Sequence, residues 1–233
     1  MEIELNLLIA LLKMTRGGSV FIGDVKRDAR IASDIVMDML KKLHVEGAIY
    51  LDDDVVQADT TMRMQLAIKA LSIGADFESV SRFLQWQEFE EIAGIVLDRY
   101  GYVVQKNVRF KHAMKRMEID VVGCRDPIVV CVDCKHWQRT LSPSSLMRIG
   151  EAQAERTEAL AESLPIVSSN LVCQKWRKGR FVPVILSLFP GNPRFRDNVP
   201  VVPVLKFQDF VNQLSVNITS VFHVERTFGH LGH

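Results

Sequence analysis

The sequence has little of what marks secreted or membrane-spanning proteins. Its 233 residues include four cysteines, too few for the disulfide framework of a small secreted domain. The longest uninterrupted aliphatic run, Leu7 to Leu12, has six residues, whereas a membrane-spanning helix needs about 20. No basic segment precedes an apolar stretch at the start, so we expect no signal peptide, no membrane partner and a cytoplasmic location.

Neither sign of charge is in excess over the whole chain. Lys and Arg total 29 and Asp and Glu total 28, which excludes polyelectrolytes and uniformly basic, histone-like proteins. The balance hides an asymmetry, because residues 1–60 hold 7 basic and 11 acidic residues (net −4), and residues 61–233 hold 22 and 17 (net +5). This predicts two units with different partners, of which the larger faces a polyanion.

The acidic first part has the element order of a winged helix. Apolar periodicity predicts three helices and then a hairpin, at 2–14, 23–30, 33–46 and 48–51 with 55–58. We therefore predict a winged-helix-like domain over 1–59 and a connector helix within 60–85. Such a domain can dock DNA through its third helix. Dimerisation or support of another domain is the favoured alternative, because the aspartates at 52–54 form a hairpin tip that phosphate repels.

A helix and three extended segments follow the connector. Apolar residues from Phe89 to Tyr100 recur at helical spacing and predict a helix over 86–100, with Glu90 at the rim of its apolar stripe. Strands are predicted over 102–107, 117–123 and 128–135, and the last of these is nearly all apolar and β-branched. A continuous apolar run of this kind is typical of a strand buried on both faces.

The turn between the last two strands sets their register. Residues equidistant from a hairpin turn face each other, so Asp120 and Asp133 are predicted to be neighbours, with Cβ atoms about 5 Å apart. Lys135 follows Asp133 by two residues and is predicted to share its face. Adjacent carboxylates repel unless a cation lies between them. Mg²⁺, or Mn²⁺, suits such oxygen ligands, and the group predicts metal-assisted phosphodiester hydrolysis.

These residues also resemble a known family. Glu90, then Glu118-Ile119-Asp120, then Asp133-Cys134-Lys135 resemble the PD-(D/E)XK nuclease superfamily. Phe89-Glu90 with Gly101-Tyr102 downstream is similar to Mrr-like restriction nucleases and to archaeal Holliday junction resolvases. The resemblance covers roughly residues 86–210, and Ile119 stands where the motif has proline.

The resemblance implies a fold and a set of roles. The fold is an α/β, restriction-endonuclease-like core with a mixed central sheet flanked by helices, within a nuclease domain over 86–233. Asp120 and Asp133 are implied as metal ligands and Lys135 as the catalytic lysine. Glu90 is implied as the helix acid, a further catalytic residue and metal ligand. No small-molecule cofactor is expected.

Two basic clusters are candidates for DNA binding. One, predicted to lie on a turn-like loop over 106–116, comprises Lys106, Arg109, Lys111, Lys115 and Arg116. The other interleaves with Trp176 and Phe181 and comprises Lys175, Arg177, Lys178 and Arg180. Basic clusters with aromatic residues suit a phosphate backbone and unpaired bases, although ordinary solvated loops have the same composition.

A cysteine pair and a later helix lie near the predicted site in the sequence. Cys131 and Cys134 form a CxxC pair, but on a strand their sulfurs point to opposite faces, so small core cysteines are favoured over a zinc site. A helix is predicted over 143–162, and its Gln153 is a candidate to reach the site.

The sequence thus predicts a Mg²⁺-dependent DNA endonuclease acting in restriction or DNA repair. The alternatives are a catalytically inactive nuclease fold that binds DNA in a regulatory role, and a structure-selective Holliday junction resolvase. A twofold-symmetric junction would call for a homodimer.

Overall fold

The structure is a computed structural model that describes residues 2–76, 79–80, 82–135, 142–164, 171–187, 194–196 and 199–228. The chain divides into two compact units, Met1–Glu88 and Phe89–His233. Within the described residues, no helix combines the length and the apolar character needed to cross a membrane.

The described part of the first unit includes four helices and a small antiparallel sheet. The helices are α1 (Glu2–Met14), α2 (Ile22–Ala29), α3 (Ser33–Val45) and α4 (Thr60–Ser72). The strands are β1 (Val20–Phe21), β2 (Tyr50–Asp52) and β3 (Val55–Gln57), in the order β1-β3-β2. The three helices and the hairpin lie where apolar periodicity predicts them, and Asp53 takes a left-handed conformation (φ 41°) in the tight turn.

A buried arginine ties α4 to the rest of the first unit. Arg63 donates to Glu88 Oε1 (2.6 Å), to the carbonyls of Leu12 (2.6 Å) and Phe83 (2.6 Å), and to Thr15 Oγ1 (2.9 Å). Gln85 N donates to the other oxygen of Glu88 at 2.6 Å. The segment considered as a connector therefore contains a helix that is built into the first unit.

The second unit is a mixed sheet with helices. Its strands are β4 (Val103–His112), β5 (Lys115–Arg125), β6 (Ile128–Lys135), β7 (Lys178–Ser187), β8 (Arg194–Arg196), β9 (Val199–Pro203) and β10 (Val224–Thr227). Its helices are α5 (Trp86–Arg99), which starts at the end of the first unit, α6 (Pro143–Ser163) and α7 (Phe207–Leu214).

The strand directions show why the sheet is mixed. The order is β4-β5-β6-β7-β9-β8, with β10 beside β7. The first three strands are antiparallel, whereas β6-β7 and β7-β9 are parallel. Parallel neighbours need a crossover, and α6 lies between β6 and β7 in the chain. The predicted α/β class with a mixed sheet flanked by helices is confirmed.

The centre of the sheet is apolar on both faces. Every residue of β6 from Ile128 to Cys134 is buried, as its nearly continuous apolar sequence predicts. Ala159 and Leu160 of α6 pack into the same core as Val129 and Cys131 of β6. This packing fixes α6 beside the carboxyl end of the strand that carries Asp133 and Lys135.

The segment over 106–116 is a hairpin rather than a loop, which corrects the prediction. Strands β4 and β5 pair up to His112–Lys115, and only Ala113 (φ 45°) and Met114 (φ 67°) connect them. Two left-handed residues form the type I′ turn that suits the strand twist. The predicted strand ends at residue 107, whereas β4 continues to His112. The sequence did not indicate this extension because the basic residues that alternate with apolar ones over 108–112 have the composition of a loop.

Candidate active site

The two aspartates meet where the β5-β6 ladder stops. The register runs from Arg125–Ile128 to Val121–Val132, so the next positions in line are Asp120 and Asp133, as the turn predicts. Asp120 Oδ2 accepts a hydrogen bond from the backbone N–H of Cys134 at 2.7 Å. On the other side, pairing with β4 passes from Lys106–Val121 to Val108–Ile119. The side chain of Asp120 thus takes the place of a strand partner for β6.

Two cations contact the buried carboxylate of Asp133. Arg156 Nη2 lies 2.9 Å from Asp133 Oδ1, and Lys135 Nζ lies 3.0 Å from Oδ2. Asp133 itself is 5% exposed, and a buried charge is stable only when it is paired and hydrogen-bonded. The approach of Lys135 is an ion pair without hydrogen-bond geometry, since Asp133 Oδ2 has no hydrogen-bond partner in the described structure.

Arg156 is a site residue that sequence reasoning missed. It belongs to a relay in which Gln153 Nε2 donates to the carbonyl of Cys131 (2.8 Å) and Arg156 Nε donates to Gln153 Oε1 (2.9 Å). The guanidinium then reaches Asp133. Gln153 was a candidate, and the available signal for Arg156 was its spacing, because residues three apart share a helix face.

Glu90 brings a third carboxyl group to the cluster from α5. It is 5% exposed, and its Oε1 has no hydrogen-bond partner within the described part of the chain. Burial, reinforced by the charge of Asp120, raises the pKa of Glu90 to about 7. Burial is also the main cause that raises the pKa of Asp120, and Asp133 adds to it. Asp120 thus raises the pKa of Glu90, and Asp133 raises that of Asp120, a coupling of acids that is common at functional sites.

The donor chemistry fits a hard divalent cation. Across the described ranges, no three Asp, Glu, His or Cys side chains are already arranged to hold a metal ion. Two buried carboxylate oxygens, Glu90 Oε1 and Asp133 Oδ2, nevertheless lack hydrogen bonds. Such oxygens are expensive to leave unsatisfied, and carboxylates are the ligands that Mg²⁺ and Mn²⁺ prefer. The residues fit the cation by chemistry.

The cysteines behave as core residues. All four are free and buried, and Cys124, Cys131 and Cys173 lie in the same apolar core. Burial raises the pKa of the Cys134 thiol, and Asp120 and Glu90 raise it further. The Cys134 thiol is therefore kept protonated, and the burial of all four cysteines agrees with the sequence interpretation of small core cysteines.

Within the described residues, four of the nine predicted basic residues form an ion pair with an acidic side chain. In the first cluster, Lys106 contacts Glu91, Arg109 contacts Glu118 (2.9 Å) and Lys115 contacts Glu155 (3.1 Å). In the second cluster, Arg180 contacts Glu225 at 2.9 Å, while Lys175 lies in a short 3₁₀ turn just before β7, which begins at Lys178. The positive charge of the first cluster is therefore concentrated on Lys111 and Arg116.

Comparison with known proteins agrees with this geometry. Residues 81–164 match the Mrr family model, whose description is "Restriction endonuclease". The matched segment contains Glu90, Asp120, Asp133, Lys135 and Arg156. This part of the chain is similar to the Mrr-like restriction endonucleases. The predicted resemblance to the PD-(D/E)XK nuclease superfamily is thereby confirmed.

Individual relatives add little about the role of the chain. An "Uncharacterized protein" of Archaeoglobus fulgidus is 27% identical over 131 residues, which cover 56% of this chain and 92% of that protein. Protein VC1899 from Vibrio cholerae is 12% identical, with a TM-score of 0.41. The match covers 94% of this chain and 53% of VC1899, so the chain spans about half the length of that protein. Can2 from Sulfobacillus thermosulfidooxidans, solved in complex with cyclic tetra-adenylate, is 12% identical, with a TM-score of 0.29. That match covers 80% of this chain and 42% of Can2. At these TM-scores, neither structure supports an argument.

Proposed function

We propose that this chain is a Mg²⁺- or Mn²⁺-dependent DNA endonuclease that hydrolyses phosphodiester bonds, in restriction or DNA repair. The observation that carries the proposal is the meeting of Asp120, Asp133 and Lys135 at the end of the β5-β6 ladder, within a segment that matches a restriction endonuclease. The two buried oxygens without hydrogen bonds support a cation as the missing partner.

The carboxylates of Asp120, Asp133 and Glu90 would hold the metal. A bound divalent cation lowers the pKa of a water molecule and stabilises negative charge on a phosphoryl group. Because Glu90 has a pKa of about 7, it exchanges its proton near neutral pH. A cation bound to the carboxylate oxygens would favour the ionised form of Glu90.

Lys135 is positioned to act on the reacting groups. Its side chain is 35% exposed, so Nζ reaches solvent while contacting Asp133. From there it can orient a water molecule and compensate for negative charge that develops on the phosphate. Arg156 holds Oδ1 of Asp133 and leaves Oδ2 directed toward Lys135.

The test is cleavage by matched variants. Supercoiled plasmid and a four-way junction are incubated with Mg²⁺, with Mn²⁺ or with EDTA. We expect Asp120→Asn and Lys135→Met each to reduce cleavage by about 10³-fold or more, which corresponds to about 4 kcal/mol of transition-state stabilisation. Asp126→Asn, at the exposed β5-β6 turn, and Lys206→Met, at an exposed position outside this cluster, are the controls. Wild-type cleavage in EDTA, or full activity of Asp120→Asn, would contradict the mechanism.

One observation favours a second candidate, an inactive nuclease fold that binds DNA. Arg156 and Lys135 already neutralise Asp133, so this carboxylate has charge partners without a metal. Titration of the protein with Mn²⁺ separates the two candidates. Binding that Asp120→Asn abolishes supports the enzyme, whereas tight DNA binding without metal binding supports the inactive fold.

The finer architectural predictions remain proposals. The order α1-β1-α2-α3-β2-β3 of the first unit supports a winged-helix-like module, and its acidic tip at 52–54 favours a protein contact over DNA. A junction resolvase would require a homodimer, so preference for the four-way junction together with a dimeric mass in solution would select that role.

A further inference from the structure

Two cations face each other on the outer side of the β4-β5 hairpin. Lys111 and Arg116 are cross-strand partners, and both are exposed. Like charges directly opposite on a strand pair are destabilising. Along the same two strands, Arg109 is opposite Glu118 and bonded to it. Neither Lys111 nor Arg116 has an acidic partner in the part of the chain that the structure describes, so this pair stands out from its neighbours.

The other side of the hairpin is fixed against α6. His112 Nε2 lies 3.2 Å from Glu162, and Lys115 Nζ lies 3.1 Å from Glu155. Two apolar residues of the same side, Phe110 and Met117, are buried in the core with α6. The hairpin is therefore held by packing and ion pairs on one face, and the Lys111–Arg116 face is left toward solvent.

A cavity of about 970 Å³ adjoins this face. Its lining includes Arg109, Lys111, Arg116, Glu118 and Glu162. Both acids are already engaged, Glu118 by Arg109 and Glu162 by His112. The unneutralised charge in the cavity is thus that of Lys111 and Arg116. A guanidinium beside an ammonium is a donor set that suits a phosphate group.

The tip of the hairpin presents an unusual apolar side chain. Met114 is 98% exposed on the two-residue turn. A two-stranded β-ribbon fits a DNA groove, and methionine is among the side chains that insert between base steps in the minor groove. In DNA the charged phosphates lie beside the apolar stacked bases. The cations Lys111 and Arg116 beside the apolar tip at Met114 present the complementary groups.

We propose that the β4-β5 hairpin is a DNA-binding arm. Lys111 and Arg116 together hold a backbone phosphate, and Met114 contacts the base step beside it. This inference rests on the proposed endonuclease function and deepens it, because it separates the residues that bind DNA from basic neighbours that are neutralised within the protein.

The test compares two double variants with the same change in charge. Binding of a labelled DNA duplex is measured by fluorescence anisotropy in EDTA over a range of salt. For Lys111→Gln with Arg116→Gln, we expect at least about a tenfold loss of affinity and a salt slope reduced by about 1, as the loss of one phosphate contact requires. The control, Arg109→Gln with Lys115→Gln, is expected to lose less than about threefold, since its cations are already paired. Equal losses in both variants would overturn the assignment, and so would unchanged affinity of the first.

Met114 has its own matched pair of variants. A duplex carrying 2-aminopurine reports unstacking as increased fluorescence on binding. We expect Met114→Ser to lose this increase, whereas Val216→Ser, at another exposed apolar residue (82%), keeps it. A signal unchanged by Met114→Ser would overturn the contact with bases. An RNA duplex of the same sequence bound as tightly as the DNA would overturn DNA as the ligand of the arm.

Failure of the arm is distinguishable from failure of the nuclease. If wild-type protein cuts DNA in an Asp120-dependent manner while the Lys111/Arg116 variant binds and cuts equally well, only the arm is overturned. If wild-type protein neither cuts nor binds DNA, the proposed function falls and the arm falls with it.

Discussion

Each unit of this protein pairs an arginine with a buried carboxylate, and the two pairs differ in how completely the hydrogen-bonding capacity of their polar atoms is satisfied. Arg63 in the first unit donates to four acceptors, and both oxygens of Glu88 accept hydrogen bonds. Arg156 in the second unit holds Asp133, yet an oxygen of Asp133 is left without a hydrogen bond, as is one of Glu90.

The difference separates a structural pair from a candidate functional one. A fully hydrogen-bonded pair needs nothing more and specifies how α1, α4 and the start of α5 fit together. Asp133 Oδ2 has only the ion pair with Lys135, and a buried oxygen without any hydrogen bond, such as Glu90 Oε1, costs free energy unless a ligand completes it. Three sets of variants test whether the two pairs differ in this way.

Removal of Arg63 should have the largest effect on stability. Arg63→Met leaves Glu88 buried without its cation, and breaking such a pair costs about 3–5 kcal/mol. Urea unfolding of the variant measures the loss. Arg27→Met, at an exposed residue paired with Asp24, is the control and should cost less than about 1 kcal/mol. A loss as small as that of the control would show that the first pair is not the structural element described above.

Glu90→Gln should stabilise the metal-free protein at high pH. The folded-state pKa of Glu90 is about 7 and the ordinary value is 4.5, so the folded state binds this proton more tightly than the unfolded state. Wild-type stability therefore falls as pH rises from about 4.5 through 7, by at most about 3 kcal/mol, whereas the neutral variant lacks this loss.

Unfolding in EDTA at pH 4 and pH 8 measures the effect at Glu90. Glu91→Gln, at a half-exposed neighbour on the same helix, should differ from wild type by less than about 1 kcal/mol at both pH values. Mg²⁺ added at pH 8 should recover stability in wild type and not in Glu90→Gln. If Glu90→Gln showed the same difference from wild type at both pH values, Glu90 would not titrate as described.

Arg156→Met should affect catalysis more than folding. A residue that orients a metal ligand typically changes metal affinity or activity by about 10–100-fold when it is removed. We expect a lower kcat with little change in KM, and partial rescue in Arg156→Lys, which keeps the charge but not the simultaneous contacts to Gln153 and Asp133. A stability loss as large as that of Arg63→Met would make the two pairs alike. Increased cleavage would show instead that Arg156 competes with the metal.

The sequence was informative where neighbours along the chain decide the structure. The helix carrying Glu90, the buried strand over 128–135 and the register that aligns Asp120 with Asp133 all follow from periodicity and from the position of one turn. The sequence predicted only part of the hairpin over 103–125, because the basic residues that alternate with apolar ones near its tip have the composition of a loop. Its strand character comes from Val108 and Phe110, which are buried only in the folded unit.

The local pattern follows from the residues alone. It comprises the secondary-structure elements, the mixed α/β class, the acidic first part and the order of Glu90, Asp120, Asp133 and Lys135. Only the tertiary structure decided which charges meet. Arg156 reaches Asp133 because α6 packs across the sheet, and Glu118, Glu155 and Glu162 neutralise some basic residues and leave Lys111 and Arg116 without an acid. Long side chains pair through space, and their partners depend on packing between elements that are far apart in the sequence.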